Sequence, residues 1–217
     1  MTNRQEVAEL PDLASSHAIT ASAASVHEAA GRRGALPSRI KPIHDAMHIH
    51  GPAFTVQLAP RNNLGLHRAI YAAAPGDVLV AHAGEQLEFG YWGEILNEAA
   101  SARGLAGLVI DGGVRDVERL KATAFPVFAA NVCIRGTVKD PTAAIELNKT
   151  IRIGEVPIRS GDLVVGDVDG VVVIPRADAP QVLRASAERD RHEESLIRRI
   201  RAGESTLAIY GLDAGEQ

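Results

Sequence analysis

Cysteine is nearly absent from this chain, since Cys133 is the single one among 217 residues. One thiol can form neither an internal disulfide nor a cysteine-based zinc site, so neither of these can stabilise the fold. Cys133 lies between two apolar residues, and we expect it to be a small buried side chain.

Long apolar runs and an excess of basic charge are lacking as well. No segment is long enough to span a bilayer, and residues 1–16 are polar and acidic, unlike a signal peptide. The net charge of -4 argues against nucleic acid as the main partner. We therefore expect a protein of the reducing cytoplasm with no membrane or nucleic-acid partner.

Three common motifs of catalytic sites are missing. The chain contains no Walker phosphate loop, no Gly-x-Gly-x-x-Gly turn and no Gly-x-Ser-x-Gly nucleophile turn. Three histidines, His44, His48 and His50, have a spacing that could ligate zinc, but no acidic residue or cysteine completes an obvious tetrahedral set. A polar strand edge is the alternative explanation for them.

Helix and strand patterns alternate along the chain, which predicts one compact α/β domain. A helix capped by Thr20 or Ser22 is expected to end near Gly31. Further helices are predicted at 64–74, 94–103 and 114–121, and strands at 52–58, 78–80, 108–110, 125–128 and within 151–174. The segment 160–165 echoes the segment 75–80, as if one turn and strand occurred twice.

Residues 108–121 carry the strongest chemical signal. A short apolar strand is predicted to break at Asp111-Gly112-Gly113 and to place Arg115 and Asp116 at the start of a helix. Ligands bind in open α/β sheets at this carboxyl edge. Neighbours on a helix point in different directions, so Arg115 could hold an anion while Asp116 holds a cation. Alternatively, Asp116 offsets the helix dipole and Arg115 is solvated.

The last predicted helix runs from Pro180 to Ala202, with Gly203 as its cap. Its middle, residues 188–194, has no large apolar side chain. Such a stretch is typical of a solvated face with ion pairs four residues apart. The alternative is that the helix presents charged groups to a neighbouring subunit.

Glu94, followed after twenty residues by Arg115-Asp116, resembles the acid-x20-Arg-Asp signature of the class II 4-hydroxy-4-methyl-2-oxoglutarate/4-carboxy-4-hydroxy-2-oxoadipate aldolases. The regulator of ribonuclease activity A belongs to the same superfamily. Other segments resemble landmarks of this family in the same order, namely 51–56, 63–69, 75–80, 107–116, 161–175 and 192–204. Two features depart from the pattern: the first acid is typically Asp rather than Glu94, and Tyr91-Trp92 precedes Gly93.

The resemblance implies an α/β fold, an αββα sandwich resembling the swivelling phosphohistidine domain, with a projecting C-terminal helix. It also implies a homotrimer or a pair of trimers, with active sites between subunits. Residues 1–176 would form the catalytic domain, and residues 177–217 a helix and tail that pack on a neighbouring subunit.

The resemblance further implies a metal-dependent lyase that releases pyruvate from 4-hydroxy-2-oxo acids and decarboxylates oxaloacetate. Asp116 would bind Mg²⁺ or Mn²⁺, and Glu94 would hold metal-bound water together with Glu193 of a neighbouring subunit. We choose Glu193 over Glu194 because it directly follows His192. Arg115 would stabilise the developing oxygen charge. The backbone amides that would receive the carboxylate of the 2-oxo acid belong to Gly93, Glu94, Ile95 and Leu96.

Two other functions compete with this interpretation. A non-catalytic, protein-binding regulator of ribonuclease activity would keep the fold, but such regulators are shorter and lack the C-terminal helix with Glu193. A methyltransferase would need a glycine-rich cofactor loop, which this chain does not contain.

Overall fold

The computed structural model describes residues 21–84 and 86–212. The helices are α1 (Ala23–Ala29), α2 (Leu64–Ala72), α3 (Glu94–Ala102), α4 (Val117–Lys121), α5 (Ala179–Arg201) and α6 (Thr206–Tyr210). The strands are β1 (Lys41–Pro42), β2 (Ile49–Gln57), β3 (Val78–His82), β4 (Gly90–Trp92), β5 (Gly107–Val114), β6 (Val127–Val132), β7 (Glu146–Leu147), β8 (Ile151–Ile153), β9 (Val156–Ile158), β10 (Leu163–Asp167) and β11 (Gly170–Ile174). No helix in these two ranges combines the length and apolar character needed to cross a membrane.

Nine strands form one sheet, whose main path runs β1-β6-β5-β3-β2-β10-β11. Its centre, β2, β3, β5 and β6, is parallel, and α2, α3 and α4 connect these strands. Beyond β2 the sheet continues antiparallel through β10 and β11, while β4 adds to the end of β5. The parallel centre therefore directs several strand ends, with the helix starts that follow them, to one edge.

Apolar residues alternate between the two faces of the strands and build three cores. Outward-facing residues of the parallel strands, such as Leu79 and Leu108, pack in one core with Ile70 of α2 and Leu96 of α3. Their neighbours, including Val109, point inward and pack against inner residues of β8–β11. A third core joins the outer face of β10 and β11 to α1 and α5. These layers are the αββα arrangement that the family resemblance implied.

Helices α1 and α5 pack together. Ser22 caps α1 by accepting a hydrogen bond from the backbone N–H of Ser25, whereas Thr20 lies outside the described residues. Helix α5 begins with Pro180 in its first turn and ends before Gly203, as predicted. Its first half is held by its own chain, because Val182 is buried and Asp190 accepts a hydrogen bond from the Ser25 hydroxyl.

The turn predicted at Asp111-Gly112-Gly113 is wrong, because β5 continues through it to Val114. The glycines serve a close approach instead: a Cβ on residue 113 would lie 2.5 Å from the Phe89 carbonyl oxygen. Helix α4 consequently begins at Val117 and not at Val114. Cys133 is half-buried, less enclosed than expected, since it follows the last residue of β6.

The zinc hypothesis for the three histidines is not supported. Among the described residues, no three His, Cys, Asp or Glu side chains lie close enough together to hold a metal. Nδ1 of His44 accepts a hydrogen bond from the backbone of Ala46, and burial lowers the pKa of His50. Only His50 lies in a strand, β2, whereas His44 and His48 precede it.

The sequence echo corresponds to a repeated turn. Gly76 before β3 and Gly161 before β10 have φ angles of 87° and 90°. Each is followed by an aspartate, Asp77 or Asp162, whose Oδ2 accepts a 2.8 Å hydrogen bond from the backbone N–H three residues earlier. The same local chemistry thus starts both strands.

Candidate active site

The starts of α3 and α4 lie side by side at the carboxyl end of β5. Strand β4 pairs in parallel with this end, with Trp92 opposite Val114. Immediately beyond the pair, the N–H of Arg115 donates a 2.8 Å hydrogen bond to the Trp92 carbonyl oxygen. This pairing places Glu94, the first residue of α3, next to Arg115 and Asp116.

Asp116 precedes α4 but interacts with the start of α3. Its backbone is in the left-handed region, with φ 58° and ψ 35°, and its side chain makes no capping hydrogen bond to α4. Instead, Oδ2 accepts a 3.1 Å hydrogen bond from the N–H of Glu94. The side chain remains 43% exposed, and Oδ1 has no hydrogen-bond partner among the residues that the structure describes. One carboxylate oxygen is therefore anchored and the other is available.

Gly93 makes this approach possible. A Cβ on residue 93 would overlap Oδ2 of Asp116 and would lie 3.3 Å from Cγ of Arg115. Its φ of -160° is ordinary extended backbone. The glycine is thus required here for space and not for backbone freedom.

Arg115 and Asp116 do not point in different directions as predicted. Nε of Arg115 lies 3.9 Å from Oδ2 of Asp116, a loose ion pair between two half-exposed side chains. The prediction assumed helical geometry, which neither residue has. A Cβ on Gly90 would lie 3.1 Å from Cδ of Arg115, and one on Gly136 would lie 3.5 Å from Nη1. Small residues therefore leave room for the arginine along its whole length.

The first turn of α3 offers backbone donors beside this pair. Glu94 is exposed, Ile95 is 80% exposed and Leu96 is buried. Within the described ranges no hydrogen bond has the N–H of Ile95 or Leu96 as its donor. Free N–H groups at a helix N-terminus favour an anion, so this turn can receive a carboxylate.

Tyr91 and Trp92 lie in the core next to the site. They are the residues before Gly93 that depart from the family pattern. Both side chains are fully buried. Nε1 of Trp92 donates to Oδ1 of Asn97, which in turn donates from Nδ2 to the Thr123 hydroxyl. This chain of hydrogen bonds ties α3 to the residues that follow α4. The Trp92 side chain therefore helps to hold α3, which begins with Glu94, in place.

Sequence reasoning missed a polar group beside the start of α2. Nδ2 of Asn63 donates to the Tyr91 carbonyl oxygen, while its Oδ1 is buried without a partner in the described structure. One turn later, burial and the nearby charge of Lys139 lower the pKa of His67. Lys139 lies in the same segment as Gly136, three residues after it, and Gly136 packs against Arg115. The order of β2 and α2 in the sequence could have indicated these residues. Because β2 is parallel to β5, α2 begins at the same edge of the sheet as the Asp116 site.

Glu193 is not brought to this site within the chain. Its carboxylate forms an ion pair with Arg189, 2.8 Å away on the same face of α5, and both side chains are 43% exposed. No ion pair or hydrogen bond in the described part of the chain joins it to Glu94, Arg115 or Asp116. The structure therefore gathers every predicted site residue except this one.

The chain belongs to the RraA-like family, Aldolase/RraA, whose model matches residues 12–173. A Halalkalibacterium halodurans protein, provisionally named 4-hydroxy-4-methyl-2-oxoglutarate aldolase, is 38% identical over 175 residues, covering 81% of this chain and 82% of that protein. An uncharacterised Pseudomonas syringae protein of known structure superposes with a TM-score of 0.72 at 28% identity, covering 84% of this chain and 88% of the other. Streptomyces coelicolor RraAS2, described as an unusual member of the RNase ES inhibitor RraA family, gives a TM-score of 0.70 at 26% identity, covering 80% and 89%.

Proposed function

We propose that this protein is a divalent-metal-dependent lyase that cleaves 4-hydroxy-2-oxo acids and releases pyruvate. The substrates would be 4-hydroxy-4-methyl-2-oxoglutarate or 4-carboxy-4-hydroxy-2-oxoadipate, and oxaloacetate would be decarboxylated by the same chemistry. The observation that carries the proposal is the position of the Asp116 carboxylate, between the guanidinium of Arg115 and the N-terminus of α3.

The donors present fit Mg²⁺ or Mn²⁺. These ions accept one or two carboxylates and complete their shell with water and substrate oxygens. Asp116 offers one partly exposed carboxylate with a free Oδ1, and Glu94 is an exposed acid beside it that can hold water. When bound, the metal would supply Lewis-acid polarisation of the substrate's 2-oxo group.

Two groups of this chain would orient and activate the 2-oxo acid. The N–H groups of Ile95 and Leu96 would receive its carboxylate at the helix N-terminus. Arg115 would stabilise the negative charge that develops on the keto oxygen as the carbon–carbon bond breaks. No lysine is required to form a Schiff base in this scheme.

His67 and Lys139 would recognise the far end of the substrate. The segment that contains Lys139 passes Arg115 at Gly136 and then reaches the start of α2, where the Val138 carbonyl accepts a hydrogen bond from the N–H of Asn63. A cation there suits the second carboxylate that both proposed aldol substrates carry. Oxaloacetate, which is shorter, would depend less on this contact.

Assembly into a trimer or hexamer would complete the site with Glu193 of a neighbouring subunit. Exposed apolar residues near the site support a contact surface, since Ile95 is 80% exposed, Val132 60% and Ile134 89%. Further exposed apolar residues follow Glu193 along the chain, among them Ile200 and Leu207. An apolar surface of this kind is typical of interfaces between subunits.

The experiment is a measurement of pyruvate release by the purified full chain. Activity on 4-hydroxy-4-methyl-2-oxoglutarate and on oxaloacetate in the presence of Mg²⁺ supports the proposal. Absence of pyruvate from every 4-hydroxy-2-oxo acid tested would contradict it. In that event, inhibition of a ribonuclease by the same preparation would support the regulator alternative, to which the likeness with RraAS2 points.

A further inference from the structure

A second polar cleft, of about 640 Å³, lies apart from the Asp116 site. Asp111 on β5 forms its floor and His82 on β3 lies beside it, while the loop and strand around β8 contribute Thr150 and Arg152. Asp111 precedes Asp116 by five residues of mostly extended chain, a separation on the order of 15 Å.

The floor of this cleft is an ion pair with fixed geometry. Asp111 is 1% exposed, and its two carboxylate oxygens accept hydrogen bonds of 2.8 Å each from Nε and Nη2 of Arg39. Nδ1 of His82 lies 3.4 Å from Oδ2 of the same carboxylate. Burial alone would raise the pKa of Asp111, but His82 and Arg39 outweigh it and hold the pKa below its ordinary value. The carboxylate therefore stays charged and keeps the guanidinium in one orientation.

The described residues that line the cleft include two guanidinium groups and a threonine hydroxyl. The Arg39 side chain is 44% exposed although its partner is buried, so its outer edge remains accessible. Arg152 is exposed and uses Nη1 for a hydrogen bond to the Glu155 carbonyl, which leaves its remaining N–H groups for other partners. Thr150 adds an exposed hydroxyl. Among the described residues, the Asp111 carboxylate lies beneath the cleft and the guanidinium groups of Arg39 and Arg152 line it.

We propose that this cleft binds a small carboxylate anion. A guanidinium held on one edge by a carboxylate presents its remaining N–H groups in a plane, the geometry that a second carboxylate matches. Because Asp111 already fixes Arg39, binding costs little further side-chain entropy. The proposal is independent of the lyase activity, since no hydrogen bond or ion pair among the described residues joins Arg39, Asp111 or Arg152 to the Asp116 site.

Calorimetric titration with succinate at low ionic strength tests this site. We expect saturable binding of one succinate per chain in excess chelator, where the lyase site lacks its metal, and no binding of the neutral analogue succinamide. Arg152→Ala should weaken succinate binding about tenfold or more, because it removes a charged hydrogen-bond donor. Arg103→Ala, which removes an exposed arginine at the end of α3, is the matched control and should bind as the wild type does.

A second set of variants separates this site from the lyase site. Arg39→Lys keeps the charge but loses the planar fork, and should also weaken binding in a chain whose circular dichroism is unchanged. Asp116→Ala and Arg115→Ala should bind succinate as the wild type does. Loss of binding in those two variants, equal binding of succinamide, or no effect of Arg152→Ala would each overturn the proposal. Succinate has no 2-oxo group, so failure of the lyase assay would not affect this result.

Discussion

Oδ2 of Asp116 occupies the space that a Cβ on residue 93 would need, and there it accepts the N–H of Glu94. The contact joins the residue before one helix to the first turn of another. It fixes one oxygen of the carboxylate proposed to hold the metal, so the position of that oxygen depends on the absence of a side chain at Gly93.

Gly93→Ala should therefore displace the Asp116 carboxylate without unfolding the chain, because the φ angle of -160° suits alanine. We expect a loss of turnover of about a hundredfold, comparable to the loss of one preorganised group. Gly136→Ala is the control, since its Cβ would make only an ordinary 3.5 Å contact with Arg115. Equal activity in the two variants would show that the position of Asp116 is not critical.

Arg115→Lys should remain severely impaired, because lysine keeps the charge but loses the planar set of donors. If Arg115 acts mainly in the transition state, kcat should fall by about a hundredfold or more with little change in KM. Arg119→Ala, an exposed arginine on α4, should be nearly unaffected. A change confined to KM would mean that Arg115 only anchors the ground state.

Glu193 is predicted to act across a subunit interface, and mixing of subunits tests this. Inactive Asp116→Ala and inactive Glu193→Ala chains should regain activity when assembled together, because some interfaces then pair an intact Asp116 with an intact neighbouring Glu193. Glu194→Ala should stay active and serves as the neighbouring control. If Glu193→Ala alone has wild-type kinetics, the helix is simply a solvated charged surface.

Stability should depend on pH through Asp111. Its folded-state pKa lies below its ordinary value because His82 and Arg39 outweigh the effect of burial. A depressed carboxyl pKa stabilises the fold above the unfolded-state pKa of about 3.9, and this contribution is lost as the pH falls through the lower, folded-state value.

Urea unfolding between pH 3 and pH 6 should therefore show a loss of stability on acidification that is smaller in Asp111→Asn. Asp169→Asn, which changes a carboxylate in the turn between β10 and β11, is the control. An acid-induced loss that is identical in wild type and Asp111→Asn would contradict this assignment.

The α/β class follows from the sequence because helix and strand patterns are local, whereas the αββα layering was implied by the family resemblance. The apolar runs of β10 and β11, buried on both faces, and the matching Gly-Asp turns before β3 and β10 are each specified within a few residues. The end of β5 could not be predicted this way. Gly112 and Gly113 normally indicate a turn, but here the Phe89 carbonyl from a distant loop leaves no room for a side chain.

Only part of the candidate site could be predicted, because some of its residues belong to a sequence motif and others do not. Arg115, Asp116 and the first turn of α3 are connected by a motif, and the structure brings them together. The prediction that Arg115 and Asp116 point in different directions was wrong because it assumed that the helix begins at residue 114. The helix begins at Val117, so neither residue is helical. Asn63 and His67 lie in the segment 63–69 that resembles a family landmark, but only the tertiary fold brings them together with Lys139.

The most direct test of the proposed chemistry is a metal titration of pyruvate release from 4-hydroxy-4-methyl-2-oxoglutarate by three proteins. Wild type and Glu118→Gln should lose activity in excess chelator and regain it when Mg²⁺ or Mn²⁺ is added. Asp116→Asn, whose amide oxygen can still accept the Glu94 N–H, should stay inactive at every metal concentration. Full wild-type activity in excess chelator, or metal-dependent activity in Asp116→Asn equal to that of Glu118→Gln, would contradict the account.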